Sequence, residues 1–116
     1  MRRIVAVIAL GAAAVGCSTV DPSPKLKAAT SAVDAAKAAG AANFPNSSEL
    51  LAQAEKYLAT AQDLIKKGDN SAAIQQLSLA AASADNAKLA ATEASNMAKA
   101  KELDAQIAEL KTKLGK

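Results

Sequence analysis

The sequence predicts an all-α protein, an elongated antiparallel three-helix bundle with a long overhanging C-terminal helix. Three observations carry that prediction. Hydrophobic residues make up 51% of the chain and aromatic residues only 2%, so the interior must be built largely from methyl groups. Alanine dominates, and it is the best helix former because it loses no side-chain entropy on folding. Two stretches of breaking residues, around 43–48 and 66–70, divide the chain beyond residue 24 into three segments, and after the second neither proline nor glycine recurs before Gly115.

The first element is not part of the bundle. Arg2 and Arg3 precede a run from Ile4 to Gly16 that carries no charge and ends in small residues, which is the layout of a secretory signal. A membrane-spanning helix needs about 20 apolar residues, and this run meets Ser18, Thr19 and Asp21 before that length. The only cysteine, Cys17, closes the run, so no disulfide forms within one chain. Ala14-Val15-Gly16-Cys17 resembles the lipobox of bacterial lipoproteins, with Ala14 where leucine is commoner. The resemblance implies that residues 1–16 are removed as a signal peptide and that Cys17 carries lipid. An ordinary cleaved signal and an uncleaved anchor are the alternatives. One fatty chain binds a membrane marginally, whereas two or more hold firmly at about 0.8 kcal/mol per buried methylene. Ser18 follows the cysteine where, in enterobacterial lipoproteins, aspartate favours the inner membrane; the resemblance thus implies the periplasmic face of the outer membrane.

Processing changes the charge argument. The chain has a formal net charge of +3, and two of those charges, Arg2 and Arg3, leave with the signal. The remainder is near neutral and lacks the clustered positive field of a nucleic-acid binder. Phe44 and Tyr57 are its only aromatics, too few for a base-stacking platform. Nucleic acid is therefore excluded as a partner.

The rest, about 100 residues, is one domain by length. Residues 17–23 form a lipidated cysteine and tether, reaching roughly 20 Å at about 3.3 Å per residue, and 24–116 form the alanine-rich helical domain. Ser23 before Pro24 reads as an N-cap with proline at the first helical position. Leu26, Ala29, Val33, Ala36 and Gly40 then make a narrow apolar stripe over a helix at about 24–42. Pro45 and its Asn and Ser neighbours predict a turn. Asn46 with Glu49 looks like a capping box, with Ser47 or Ser48 as the alternative cap.

The second helix, about 47–67, carries Leu50, Leu51, Ala54, Tyr57, Leu58, Ala61, Leu64 and Ile65 on one broad face. Lys66-Lys67-Gly68-Asp69-Asn70 is a stop and restart: cations at the old C-terminus, glycine to leave it, and Asp69 or Asn70 to cap the next helix. The third helix, about 70–114, runs roughly 66 Å at 1.5 Å per residue. Along it, Ala73, Leu77, Ala80, Ala84, Ala87, Ala91, Ala94 and Ala98 make a small-residue seam on which another helix can approach closely. Leu103, Ile107, Leu110 and Leu114 make a second seam, about 140° around the helix. The two cannot serve one neighbour. The alanine seam is expected to complete the bundle, and the leucine seam to emerge beyond it for self-association, against the alternative of a solvated helix held by pairs such as Glu109 with Lys113.

Residues 25–95 resemble the alanine-rich, three-helix domain of unknown function found in Gram-negative periplasmic lipoproteins. The resemblance rests on the alanine spacing of the first helix, Pro45, Glu49-Leu50-Leu51-Ala52-Gln53-Ala54, Leu58, Ala61, Lys67-Gly68-Asp69, Ala72 and Ala73. In that family the domain often precedes an OmpA-like peptidoglycan-binding domain, for which the residues after 95 leave no room, so wall binding by that route is not carried over. A weaker resemblance, to murein lipoprotein and its alanine-zipper relatives, rests on the alanine seam and on Lys116. It implies a peptidoglycan bond through the Lys116 amine, although Leu114-Gly115-Lys116 lacks the aromatic and basic residues common there. The second helix, Gly68-Asp69 and the start of the third also look like one tetratricopeptide unit, but a single unit cannot stack into a groove.

Catalytic chemistry is not expected. The chain has no histidine, no glycine-rich phosphate loop between strand and helix, and acids such as Glu102, Asp104 and Glu109 at spacings of solvated helix faces. Metal and cofactor sites are not expected either, since a second thiol and histidine are both missing. A ligand carrier would need a cavity, for which an alanine core offers little room. The expected function is a non-catalytic outer-membrane lipoprotein presenting a periplasmic helical module for envelope organisation or protein–protein interaction. The alternative is a murein-lipoprotein-like tether between outer membrane and peptidoglycan. Its partners would be the membrane through Cys17, a second copy or an envelope protein, and peptidoglycan.

Overall fold

The computed structural model describes residues 20–115. These form α1 (Ser23–Ala38), a single 3-10 turn (Ala41–Asn43), α2 (Pro45–Lys66) and α3 (Asn70–Gly115). The architecture is the elongated antiparallel three-helix bundle with an overhanging last helix. No helix among the described residues is long and apolar enough to cross a membrane.

Helix α1 starts one residue earlier than the sequence suggests. Ser23 lies inside the helix, Pro22 occupies the capping position, and no cap side chain bonds the first turn. The orphan amide of Ser23 instead donates to the Asp21 carboxylate at 2.9 Å. The Ser23 hydroxyl and then its backbone N–H hold the Asp21 carboxyl below the usual carboxylate range. A depressed carboxyl contributes at neutral pH, and that contribution is lost as pH falls through the lowered value. Acidification below the ordinary carboxylate range is therefore expected to fray the first turn of α1. The Ser23 amide resonance followed by NMR through that range should report it, and an amide that does not move would remove this cap.

The far end of α1 also differs from the expected boundary near residue 42. Gly40 has φ +82°, a left-handed conformation that L residues rarely adopt, and its N–H returns to Lys37 O at 3.0 Å. The helix thus closes at Ala38 and Gly40 belongs to the exit, not to the apolar stripe. A Cβ added to Gly40 would also sit 3.0 Å from the Asn43 side chain.

Between α1 and α2 the chain is fastened by Ser47. Its hydroxyl donates to Ala41 O at 2.6 Å, with Phe44 O at 3.2 Å, and the residue is fully buried. The capping box expected from Asn46 and Glu49 does not form: Phe44 is the capping residue, without a side-chain bond, and Pro45 stands in the first turn. Pro45 lacks an amide hydrogen, so one orphan donor is gone. Ser47 faces inward as a latch. Ser47→Ala is expected to cost about 1–3 kcal/mol, because the Ala41 carbonyl would be left unpaired in the interior. Chemical denaturation would measure this; a loss within error of zero would mean that water reaches the turn.

Helix α2 ends as the sequence predicts. Gly68 has φ +82°; its N–H bonds Ile65 O at 3.0 Å, and the Asp69 N–H bonds Leu64 O at 2.9 Å. This reciprocal pair is a Schellman closure. Asp69 then caps α3, its carboxylate accepting from the Ala72 N–H at 3.2 Å.

Helix α3 is the spine, with α1 and α2 each packing more extensively on it than on one another. One cluster holds Ala29, Ala61, Leu77 and Ala80. The other holds Val33, Ala36, Ala41, Leu51, Ala54, Ala84, Ala87 and Ala91. Residue order within the clusters sets direction: α1 runs with α3, and α2 runs against both. Because nearly every partner is alanine, the backbones approach closely, and each methyl contributes on the order of 0.8 kcal/mol of burial. Lys37 on α1 and Glu55 on α2 meet at 2.7 Å across the surface. The hydrogen bond and charge of Glu55 raise the Lys37 pKa above the usual lysine value.

The alanine seam closes sooner than its spacing implies. Ala73 through Ala91 are buried, Ala94 is half-buried and Ala98 is exposed. The reason is α2: its first residue, Pro45, lines the same recess as Ala90 and Ala94, and beyond that level none of the other described helices covers α3.

Candidate functional site: the overhang and the outer groove

From Asn96 to Gly115, α3 continues beyond the other described helices with every residue exposed. Good helix formers sustain it. Glu109 and Lys113 meet at 2.7 Å, and Gln106 Nε2 donates to Glu102 at 3.4 Å. Such pairs stabilise a helix by only about 0.2–0.5 kcal/mol each. In proteins most helical stability comes from packing of an apolar face, so the segment gains from any apolar surface that covers it.

The four residues of the leucine seam come together on one stripe of this overhang. Leu103 is 56% exposed, Ile107 48%, Leu110 56% and Leu114 82%. On a helical net they lie roughly 140° away from the buried seam. The stripe therefore points away from α1 and α2, and a partner helix can lie along it without meeting the bundle.

A second feature was not anticipated from the sequence. The outer face between α2 and α3 holds a solvent-open groove of about 740 Å³, lined by residues that include Asn46, Gln53, Tyr57, Thr60, Gln76 and Ala90. A smaller recess of about 330 Å³ lies where α3 leaves the bundle, against Phe44 and Met97. The expectation that an alanine core leaves little room applies to the interior; the groove lies outside it, between the outer faces of α2 and α3. Its α2 residues recur at three- and four-residue intervals, the only sequence signal for it, and that spacing equally describes a solvated helix face.

Glu102, Asp104 and Glu109 are exposed. Among the described residues no group of three acidic or thiol side chains is arranged to hold a metal ion. Cys17 and Lys116, the candidate lipidation and peptidoglycan-attachment residues, lie outside the described residues.

Helix α1 begins at Ser23, at the same end of the bundle as the α2–α3 turn. Helix α3 starts there and rises about 69 Å over its 46 residues. The exposed stripe is thus at the end farthest from the start of α1. No protein-family model, no curated protein and no solved structure matches this chain.

Proposed function

We propose that this chain is a non-catalytic lipoprotein of the outer membrane, fastened through lipid on Cys17 and holding a helical module in the periplasm for envelope organisation through protein contacts. The observation that carries the reading is the direction of the overhang. The tether and the exposed apolar stripe occupy opposite ends of α3, so a chain anchored at Cys17 presents Leu103, Ile107, Leu110 and Leu114 away from the membrane surface. The lipobox-like Ala14-Val15-Gly16-Cys17 supplies the anchor. The chemistry of the residues supports a binding role: the chain has no histidine and one thiol, and that thiol is assigned to lipid.

The sequence resemblance of residues 25–95 to the alanine-rich lipoprotein domain, at Pro45 and Lys67-Gly68-Asp69 among others, supports the same address. The projecting end of α3 also favours a second reading, the wall tether, since Leu114 and Gly115 are exposed there and Lys116 is next in sequence.

Fractionation of cells that express the full chain tests the anchor. The parent is expected in the outer-membrane fraction, and Cys17→Ser is expected to be lost from it. Identical fractionation of the two chains contradicts the proposal. Mass spectrometry of digested cell walls separates the two readings: a Lys116 peptide joined to a muropeptide establishes the tether, and its absence favours the adaptor.

A further inference from the structure

We infer that the overhang, from Asn96 to Leu114, pairs with the same segment of a second copy as a parallel, in-register, two-stranded coiled coil. The successive spacings of Leu103, Ile107, Leu110 and Leu114 are four, three and four. That places Leu103 and Leu110 at heptad position d, and Ile107 and Leu114 at a. Isoleucine at a with leucine at d favours two strands in parallel. Extending the frame upstream puts Ala100 at a and Asn96 at d, both exposed. The next a position is Glu93, where two copies would oppose like charges, so the pairing stops there and leaves Leu89 outside it.

The flanking positions agree with this partner. In a parallel pair each g residue faces the e residue five places on in the other chain. Lys99 then meets Asp104 of the second copy with opposite charge, and Gln106 meets Lys111 without repulsion. The stripe turns away from the bundle, so two bundles sit side by side without entering the seam. Helices gain most of their stability from packing an apolar face, and pairing covers the four large apolar side chains that are now 48–82% exposed.

Orientation rests on the lipid-anchor reading above. In an antiparallel pair centred on Ile107 and Leu110, the two tether ends would stand roughly 115 Å apart, each about 58 Å along α3 from the centre. A tether of about 20 Å cannot bring both to one membrane surface. The parallel pair places both anchors on the same side, and confinement to that surface raises the effective concentration of each copy for the other.

The test uses the full chain, with Cys17 retained, in membranes of a Gram-negative bacterium. Leu103→Cys, Leu114→Cys and Thr112→Cys are oxidised separately and the dimer is read on a non-reducing gel. Leu103→Cys and Leu114→Cys are each expected to crosslink to themselves at least about tenfold more than Thr112→Cys, which lies on the opposite side of the helix. Changing both Leu103 and Ile107 to serine in the Leu114→Cys chain should abolish its crosslink. Equal crosslinking at all three positions, or none, overturns the coiled coil. Crosslinking only when Leu103→Cys and Leu114→Cys chains are mixed shows an antiparallel pair and overturns the orientation. A fatty-acid probe on the same samples separates the two proposals: label without crosslink removes the pairing alone, and crosslink without label supports the pairing while removing the anchor.

Discussion

Leu77→Ala is expected to lower the unfolding free energy by about 2–5 kcal/mol, the range for emptying a buried leucine site. Leu77 is 1% exposed and is the largest fully buried side chain of the bundle. Its buried neighbours are Ala29, Ala61 and Ala80. Alanine has no side-chain rotamer with which to move into a void, so the site collapses only if whole helices shift. Leu26, Tyr57 and Leu58 pack at the edge of the same cluster and are the groups able to give. Folded domains are stable by only about 5–15 kcal/mol, so the loss is a large share of the total. Urea denaturation followed by circular dichroism should show a lower midpoint with an unchanged slope. Leu79→Ala, on the same helix but 46% exposed, is expected to stay within about 0.5 kcal/mol of the parent. Equal effects at the two positions would contradict the assignment of Leu77 to the core.

The opposite change at the alanine seam should also destabilise. Ala84→Leu is expected to cost about 1–3 kcal/mol through overpacking. Ala84 is fully buried in the cluster that includes Val33, Ala36 and Leu51, where α1 and α2 both close onto α3. A leucine there must push one helix away or take a strained rotamer, although leucine is itself a good helix former. A domain of this size loses roughly 4–8 °C of melting temperature per kcal/mol, which a thermal melt resolves easily. An unchanged or raised melting temperature would mean that the seam has slack, and that close backbone approach does not hold the bundle together.

These two substitutions also locate what was legible in the sequence. The three helices were, because proline and glycine act on the backbone where they stand. Gly68 and Asp69 close and reopen the helix through bonds within five residues, and both roles can be read locally. The end of α1 was not legible to the residue, since Ala41 and Ala42 are good helix formers, and only the left-handed backbone at Gly40 turns the chain. Ser47 was hidden for another reason: its acceptor, Ala41 O, belongs to a turn that exists only once α1 has ended.

The extent of the buried seam depends on long-range geometry. Ala94 and Ala98 continue the spacing of Ala87 and Ala91, yet burial fades because α2 begins at Pro45 and offers nothing higher to pack against. The outer groove is formed by residues of α2 and α3 together, which neither helix encodes alone. The leucine seam was legible in both position and exposure, because its angle from the alanine seam already denies it the same neighbour.

The central claim is that a lipid on Cys17 holds these helices to a membrane. Mass spectrometry of the amino-terminal peptide from chain purified out of cell membranes tests it most directly. The expected peptide begins at Cys17 and carries the mass of a diacylglyceryl group together with an acyl chain on its amine. An unmodified thiol at Cys17, whether or not the residues before it have been removed, would contradict it.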